Sequence, residues 1–224
     1  MGTDIHFYAE TRPTETSDWS SVDQRKLDEF MGILAVPFGK SFYSSRNYDL
    51  FAILADVRNG TGFAGVPTSS GFNPISPPRG LPAKLDPRIQ EQADSFASDG
   101  HSHSWFTLDE ILAFDWTQTV TKFGVVSLVE YAEWKRWRAS AGLGPEEYSA
   151  HVAGSSVRHI TQPEANDLVD NGEAELPKYE FTYIKISWQS TYSMLCREFW
   201  YSTIPRLLAL GRPENTRIVF WFDN

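Results

Sequence analysis

A single cysteine, Cys196, among 224 residues excludes an internal disulfide and a cysteine-built zinc site, and suits a reducing compartment. No stretch reaches the roughly 18 uninterrupted apolar residues of a membrane span. The opening Met1 to Glu10 carries Asp4 and Glu10 and has no apolar run of signal-peptide type. Basic residues are in deficit, 20 Lys plus Arg against 29 Asp plus Glu, for a formal net charge of −9. A chain of this sign repels nucleic-acid backbones and anionic bilayers, so general nucleic-acid binding and membrane association are not expected. A cytoplasmic location is. The sequence also lacks a Walker loop, a dinucleotide fingerprint, a Gly-x-Ser-x-Gly elbow, internal repeats and heptads.

What is present is apolar and aromatic. Hydrophobic residues are 41% and aromatics 14%, with eight Trp. That is enough for a core without staples, and the length suits a single domain over residues 1–224. The aromatics serve either a Trp-rich core, the commoner use, or an aromatic-lined pocket.

Residues 3–10 alternate Ile5, Phe7 and Ala9 with Asp4, His6, Tyr8 and Glu10, which is the period of a strand. Trp19 to Val22 suits a short partner strand. Helical spacing predicts helices over 23–35, over Tyr48 to Arg58 with Asn47 as cap and Asn59-Gly60 as stop, and over about Val125 to Ser140. Capping boxes at Thr107–Glu110 and Thr161–Glu164 open two more. Tyr179 to Trp188 and Arg217 to Phe222 read as strands. Tyr192 to Leu210 reads as a helix broken by Pro205 and closed by Gly211. Residues 59–88, with six Pro and five Gly, form a long stiff loop. Strands at both ends with helices between predict an α+β fold, a small antiparallel or mixed sheet flanked by helices.

Chemistry-bearing residues fall into three groups. Asp4 and His6 project from one face of the first strand about 7 Å apart, with Tyr8 and Glu10 continuing that face. An Asp and a His so placed co-ligate a metal, or the Asp orients the His for proton transfer. His101, Ser102, His103 and Ser104 precede a capped helix, where paired imidazoles bind a divalent ion and a helix N-terminus suits an anion. Arg46 and Arg79 carry the side chain best shaped to grip phosphate. Each group also has a plain use, as an exposed sheet face, a helix entry or a surface ion pair.

The opening Met-Gly-Thr-Asp-Ile-His, with Asn47-Tyr-Asp-Leu-Phe51, Arg79-Gly-Leu-Pro82 and His101-Ser-His-Ser-Trp105, resembles a family of uncharacterised bacteriophage and bacterial proteins that begin Met-Gly-Cys-Asp-Ile-His. Thr3 departs from that Cys. The resemblance implies a phage or prophage origin, hence the host cytoplasm, and no particular chemistry. A second likeness is to calcineurin-like metallophosphoesterases, through Asp4-x-His6 and Gly100-His-x-His103, although their intervening Gly-Asp and Gly-Asn-His segments are missing here.

Three functions are therefore expected to compete. The first is an accessory protein that sequesters a small phosphate-bearing, nucleotide-like host defence signal, with Asp4, His6, Tyr8, Arg46, Arg79, His101, Ser102, His103 and Ser104 as ligand contacts. The second is a metal-dependent phosphoesterase in which Asp4, His6, His101 and His103 hold the ion and Glu10 or His6 acts as base. The third is a protein-interaction module. A homo-oligomer is compatible with all three.

Overall fold

The computed structural model describes residues 2–23, 26–28, 33–35 and 41–223. In chain order the elements are β1 (Asp4–Thr11), β2 (Ser20–Ser21), β3 (Lys26–Asp28), β4 (Ile33–Ala35), α1 (Tyr48–Ala55), α2 (Pro87–Ser95), β5 (His101–Thr107), α3 (Leu108–Ala113), β6 (Thr119–Ser127), α4 (Leu128–Trp137), β7 (Arg158–Ile160), α5 (Gln162–Asp170), β8 (Thr182–Thr191), α6 (Tyr192–Leu195), α7 (Ile204–Leu208) and β9 (Thr216–Asp223). The fold is α+β, with small antiparallel and mixed sheets flanked by helices. No helix among the described residues is long and apolar enough to cross a membrane. The chain divides into two compact units: residues 1–58, 73–116 and 196–224 form the first, and 59–72 with 117–195 the second.

The first unit is organised by β9, the most apolar strand. It lies in a four-stranded sheet of order β2-β1-β9-β5, antiparallel at every pairing, and every residue from Thr216 to Phe222 is buried. Alternation sends its side chains to two differently covered faces. On one, Phe222 packs against Phe51 of α1 with ring centroids 4.9 Å apart. The run Leu50–Ala55 is wholly buried, and a Phe so placed contributes about 1.5–3 kcal/mol. On the other, Tyr8, Val219 and Trp221 pack with Ile89 and Ala93 of α2. Asn47 caps α1 by accepting from the Asp49 and Leu50 N–H groups. The helix stops earlier than its sequence suggests, at Ala55, because Asp56 adopts a left-handed conformation with φ 58°.

A buried ion pair locks the far end of the α2 face. Glu10 and Arg217 are opposite residues of β1 and β9, and Arg217 Nε donates to Glu10 Oε2 at 2.6 Å with side chains 3% and 0% exposed. Glu10 Oε1 accepts the Asp86 N–H, the Lys84 carbonyl accepts from Arg217, and Trp19 lies 4.2 Å beneath the guanidinium. Burial lowers the Arg217 pKa, and the hydrogen bond to Glu10 opposes it.

In the second unit β8 pairs antiparallel with β6 and parallel with β7. One face carries Val126, Ile184, Ile186 and Trp188, packed with Leu128 and Tyr131 of α4 and Ala165 of α5. Gly144 is required where the chain crosses the Trp188 indole, since any side chain there would collide with it.

Several elements differ from their sequence reading. The helix expected from Val125 is strand through Ser127, and only then helix. β-Branched Val125 and Val126 extend β6, and the Ser127 hydroxyl caps α4 by accepting from Glu130 N–H. Within 23–35, Leu27 and Leu34 are cross-strand partners of β3 and β4 rather than one face of a helix; residues 24–25 and 29–32 of that stretch lie outside the described residues. The long 59–88 segment is divided between the units. Its first part is stitched to β6 by Ser70 N–H to Thr121 O and Phe123 N–H to Thr68 O. Its last residues, Pro87 and Arg88, already belong to α2.

Candidate functional site

The site grows from the register of three neighbouring strands in the first unit. His6 of β1 sits opposite Trp221 of β9, so both side chains share a face, and the imidazole lies 5.7 Å from the indole at an interplanar angle of 20°. His103 of β5 flanks the same indole from the other side, at 5.6 Å and 26°. Tyr8 stacks on Trp221 at 5.0 Å. Phe96, just past α2, approaches the His6 ring to 4.1 Å.

A bulge is what aims His103 here. Between His101 and Ser104 the ladder with β9 shifts register, and Ser102 adopts φ 52°. One extra residue in a strand reverses the facing of the residues after it relative to those before it. His101 therefore pairs with Phe222, 6.1 Å between ring centroids, on the face opposite Trp221. The two imidazoles that plain alternation would set side by side are divided between the faces of the sheet. His101 Nδ1 meets the Ser102 hydroxyl at 3.0 Å, and its Nε2 is buried without a hydrogen-bond partner among the described residues. The Trp221 Nε1 is likewise buried and unpartnered.

Charged groups extend the cluster toward the start of β1. His6 Nε2 lies 3.2 Å from Asp223 Oδ2. Because a carboxylate only accepts, this assigns the proton to Nε2 and leaves Nδ1 as an acceptor in the neutral ring. Asp223 Oδ1 accepts the Asp4 N–H at 3.2 Å, which fixes the carboxylate that orients His6. The Asp4 side chain makes a bidentate pair with Arg46, at 2.8 Å from Nε and 2.6 Å from Nη2. These hydrogen bonds hold the Asp4 carboxyl below the usual carboxylate range. Burial, with a smaller contribution from His101, lowers the His103 pKa below its ordinary value. Beside this chain Arg58 Nε donates to Thr3 Oγ1 at 2.6 Å, and its guanidinium lies over Tyr48.

Of the expected site residues, Asp4 and Arg46 thus pair with each other, and His6, His103 and Tyr8 each lie against the Trp221 ring. The others have different duties. Ser102 forms the bulge. Ser104 is fully buried and its hydroxyl accepts the Arg79 N–H at 3.2 Å. Arg79 is committed to packing: it pairs with Glu110 at 2.8 Å, bonds Ser76, and lies 4.5 Å above Phe106. With Gly80 N–H donating to His103 O, it seals the edge strand β5 with a Pro-rich segment, a common device against unwanted strand pairing. Glu10, expected as a base, is buried against Arg217 instead.

Among the described residues no group of three or more His, Cys, Asp or Glu side chains is placed to hold a metal ion. Of the four expected ligands, Asp4 pairs with Arg46, His6 Nε2 faces Asp223, and His101 and His103 lie on opposite faces of the sheet. Sequence reasoning missed Asp223, Trp221 and Phe96. Trp221 sits in a run that reads as pure core, and Phe96 follows α2, most of which has no assignment in the sequence reading. Asp223 carried the one usable signal, a charge ending an apolar strand.

No family model, curated protein or solved structure matches the chain.

Proposed function

We propose that the protein binds a small phosphate-bearing, nucleotide-like ligand on the Trp221 face of the first unit's sheet, with His6, His103 and Arg46 as its contacts. The observation that carries this reading is the pair of imidazoles held against one buried indole, each partly accessible. Neither His6 Nδ1 nor the His103 ring has a hydrogen-bond partner among the described residues. Rings fixed by cross-strand stacking lose little freedom on binding, which favours a pre-formed site. Arg46 supplies the phosphate fork. Asp223, with acceptor capacity beyond its two present bonds, suits a ribose hydroxyl, and Phe96 offers an apolar edge.

The phage-like opening motifs support placing this activity in an infected or lysogenic cell, where capture of a nucleotide signal blunts host defence. Equilibrium dialysis of the purified protein against a nucleotide panel tests the reading. Binding of at least one nucleotide is expected, weakened tenfold or more in His6→Ala and His103→Ala variants that retain the near-ultraviolet circular dichroism of the parent. Absence of binding at millimolar nucleotide, or binding indifferent to both substitutions, overturns it.

A further inference from the structure

We propose that Asp4 is an internal stand-in for the ligand's phosphate: it occupies the Arg46 guanidinium in the unliganded protein and gives it up when a phosphomonoester binds. This rests on the nucleotide-binding reading above and assigns the residue that takes the phosphate.

Three observations converge. The Asp4–Arg46 contact has the parallel two-bond geometry with which guanidinium groups hold carboxylates and phosphates alike. Both side chains are about half exposed, 51% for Asp4 and 52% for Arg46, so the pair is open to exchange. Pairs this accessible contribute little net stability, and a phosphate dianion offers more charge to the same fork than a carboxylate does. Finally, the guanidinium lies over Gly2, within 3 Å of where a β-carbon would stand. The absent side chain leaves Arg46 room to lie against the start of β1, the strand that carries His6.

The backbone links this fork to the imidazole cluster. Asp4 N–H holds Asp223, and Asp223 holds His6, so one ligand reaching Arg46 through its phosphate and His6 through its sugar or base spans residues already connected. When the phosphate displaces Asp4, the carboxylate turns to water at small cost, because it is already half solvated. Asp4 thereby acts as a filter: neutral nucleosides do not displace it, and phosphorylated ones do.

Titration calorimetry with adenosine 5′-monophosphate and with adenosine tests this on the intact protein and on the Asp4→Asn, Arg46→Ala and doubly substituted forms. Asp4→Asn is expected to tighten the monophosphate by roughly three- to fivefold and leave adenosine unchanged. Arg46→Ala is expected to weaken the monophosphate about tenfold or more, and adding Asp4→Asn to it should restore nothing. A gain from Asp4→Asn that persists without Arg46 would mean simple charge repulsion and overturn the stand-in. So would an unchanged or weakened monophosphate in Asp4→Asn while His6→Ala still abolishes binding, an outcome that leaves the pocket itself standing. Failure of the parent and of Asp4→Asn to bind either probe would overturn the stand-in, and failure across the whole nucleotide panel would overturn the binding reading with it.

Discussion

His6 and His103 reach the same indole from opposite sides: one on β1, the other on β5, with Trp221 on β9 between them at 5.7 and 5.6 Å. Neither strand alone makes the site. It exists because β9 is central, and because a one-residue bulge turns His103, but not His101, toward that face.

The bulge should tolerate glycine and reject branching. Ser102→Gly removes the side chain from a left-handed backbone and should leave stability unchanged or raise it by up to about 1 kcal/mol. Ser102→Val should cost about 1–2 kcal/mol and displace the His103 ring resonances. Urea unfolding and imidazole NMR check both.

The buried Glu10–Arg217 pair should be costly to break from one side. Glu10→Ala or Arg217→Ala leaves an uncompensated buried charge and should destabilise by about 3–5 kcal/mol. The double replacement Glu10→Met with Arg217→Met should recover most of that loss. Guanidinium unfolding of the three variants provides the comparison.

Asp86 sets an acid limb of stability. Its carboxylate accepts from the Arg88 guanidinium and from the Ser21 and Arg88 N–H groups, and these hydrogen bonds hold its pKa well below the usual carboxylate range. A depressed folded-state pKa means stability that is fully present above the unfolded value of about 3.9 and lost as pH falls below it. Asp86→Asn should therefore flatten the fall in stability below about pH 4. It should also cost about 1 kcal/mol at neutral pH through a weaker α2 cap. Melting temperatures across the acid range read both effects.

His103 should titrate below an ordinary histidine, because burial disfavours its cation and His101 adds to that. Its neutral form is favoured by folding, so it contributes stability that is present above the unfolded value near 6.5 and is lost as pH falls through it. His101→Gln should raise the His103 pKa slightly, as followed by NMR titration.

Much of the scaffold was legible in local patterns. Alternation in Asp4–Thr11 marked β1 and its polar face, the capping boxes at Thr107 and Thr161 both form, and the apolar run at Arg217–Phe222 marked the central strand. What local pattern could not hold was register. That His6 opposes Trp221 depends on how β1 and β9 pair. The facing of His103 depends on one left-handed residue, Ser102, whose type gives no warning of φ 52°. In the sequence Arg79, in its stiff Pro-rich loop, looked better suited to a ligand than Arg46. Only the position of Glu110, and of Phe106 beneath it, commits Arg79 to packing. β5 itself was hidden because His101–Thr107 is polar in composition and reads as a helix entry.

The most direct test is a two-dimensional NMR titration of the imidazole nitrogens with adenosine 5′-monophosphate. The account predicts that His6 and His103 shift together along one saturation curve, and that Arg46→Ala moves both curves to higher concentration. Rings that stay still while the nucleotide binds, or that track two unrelated curves, would contradict it.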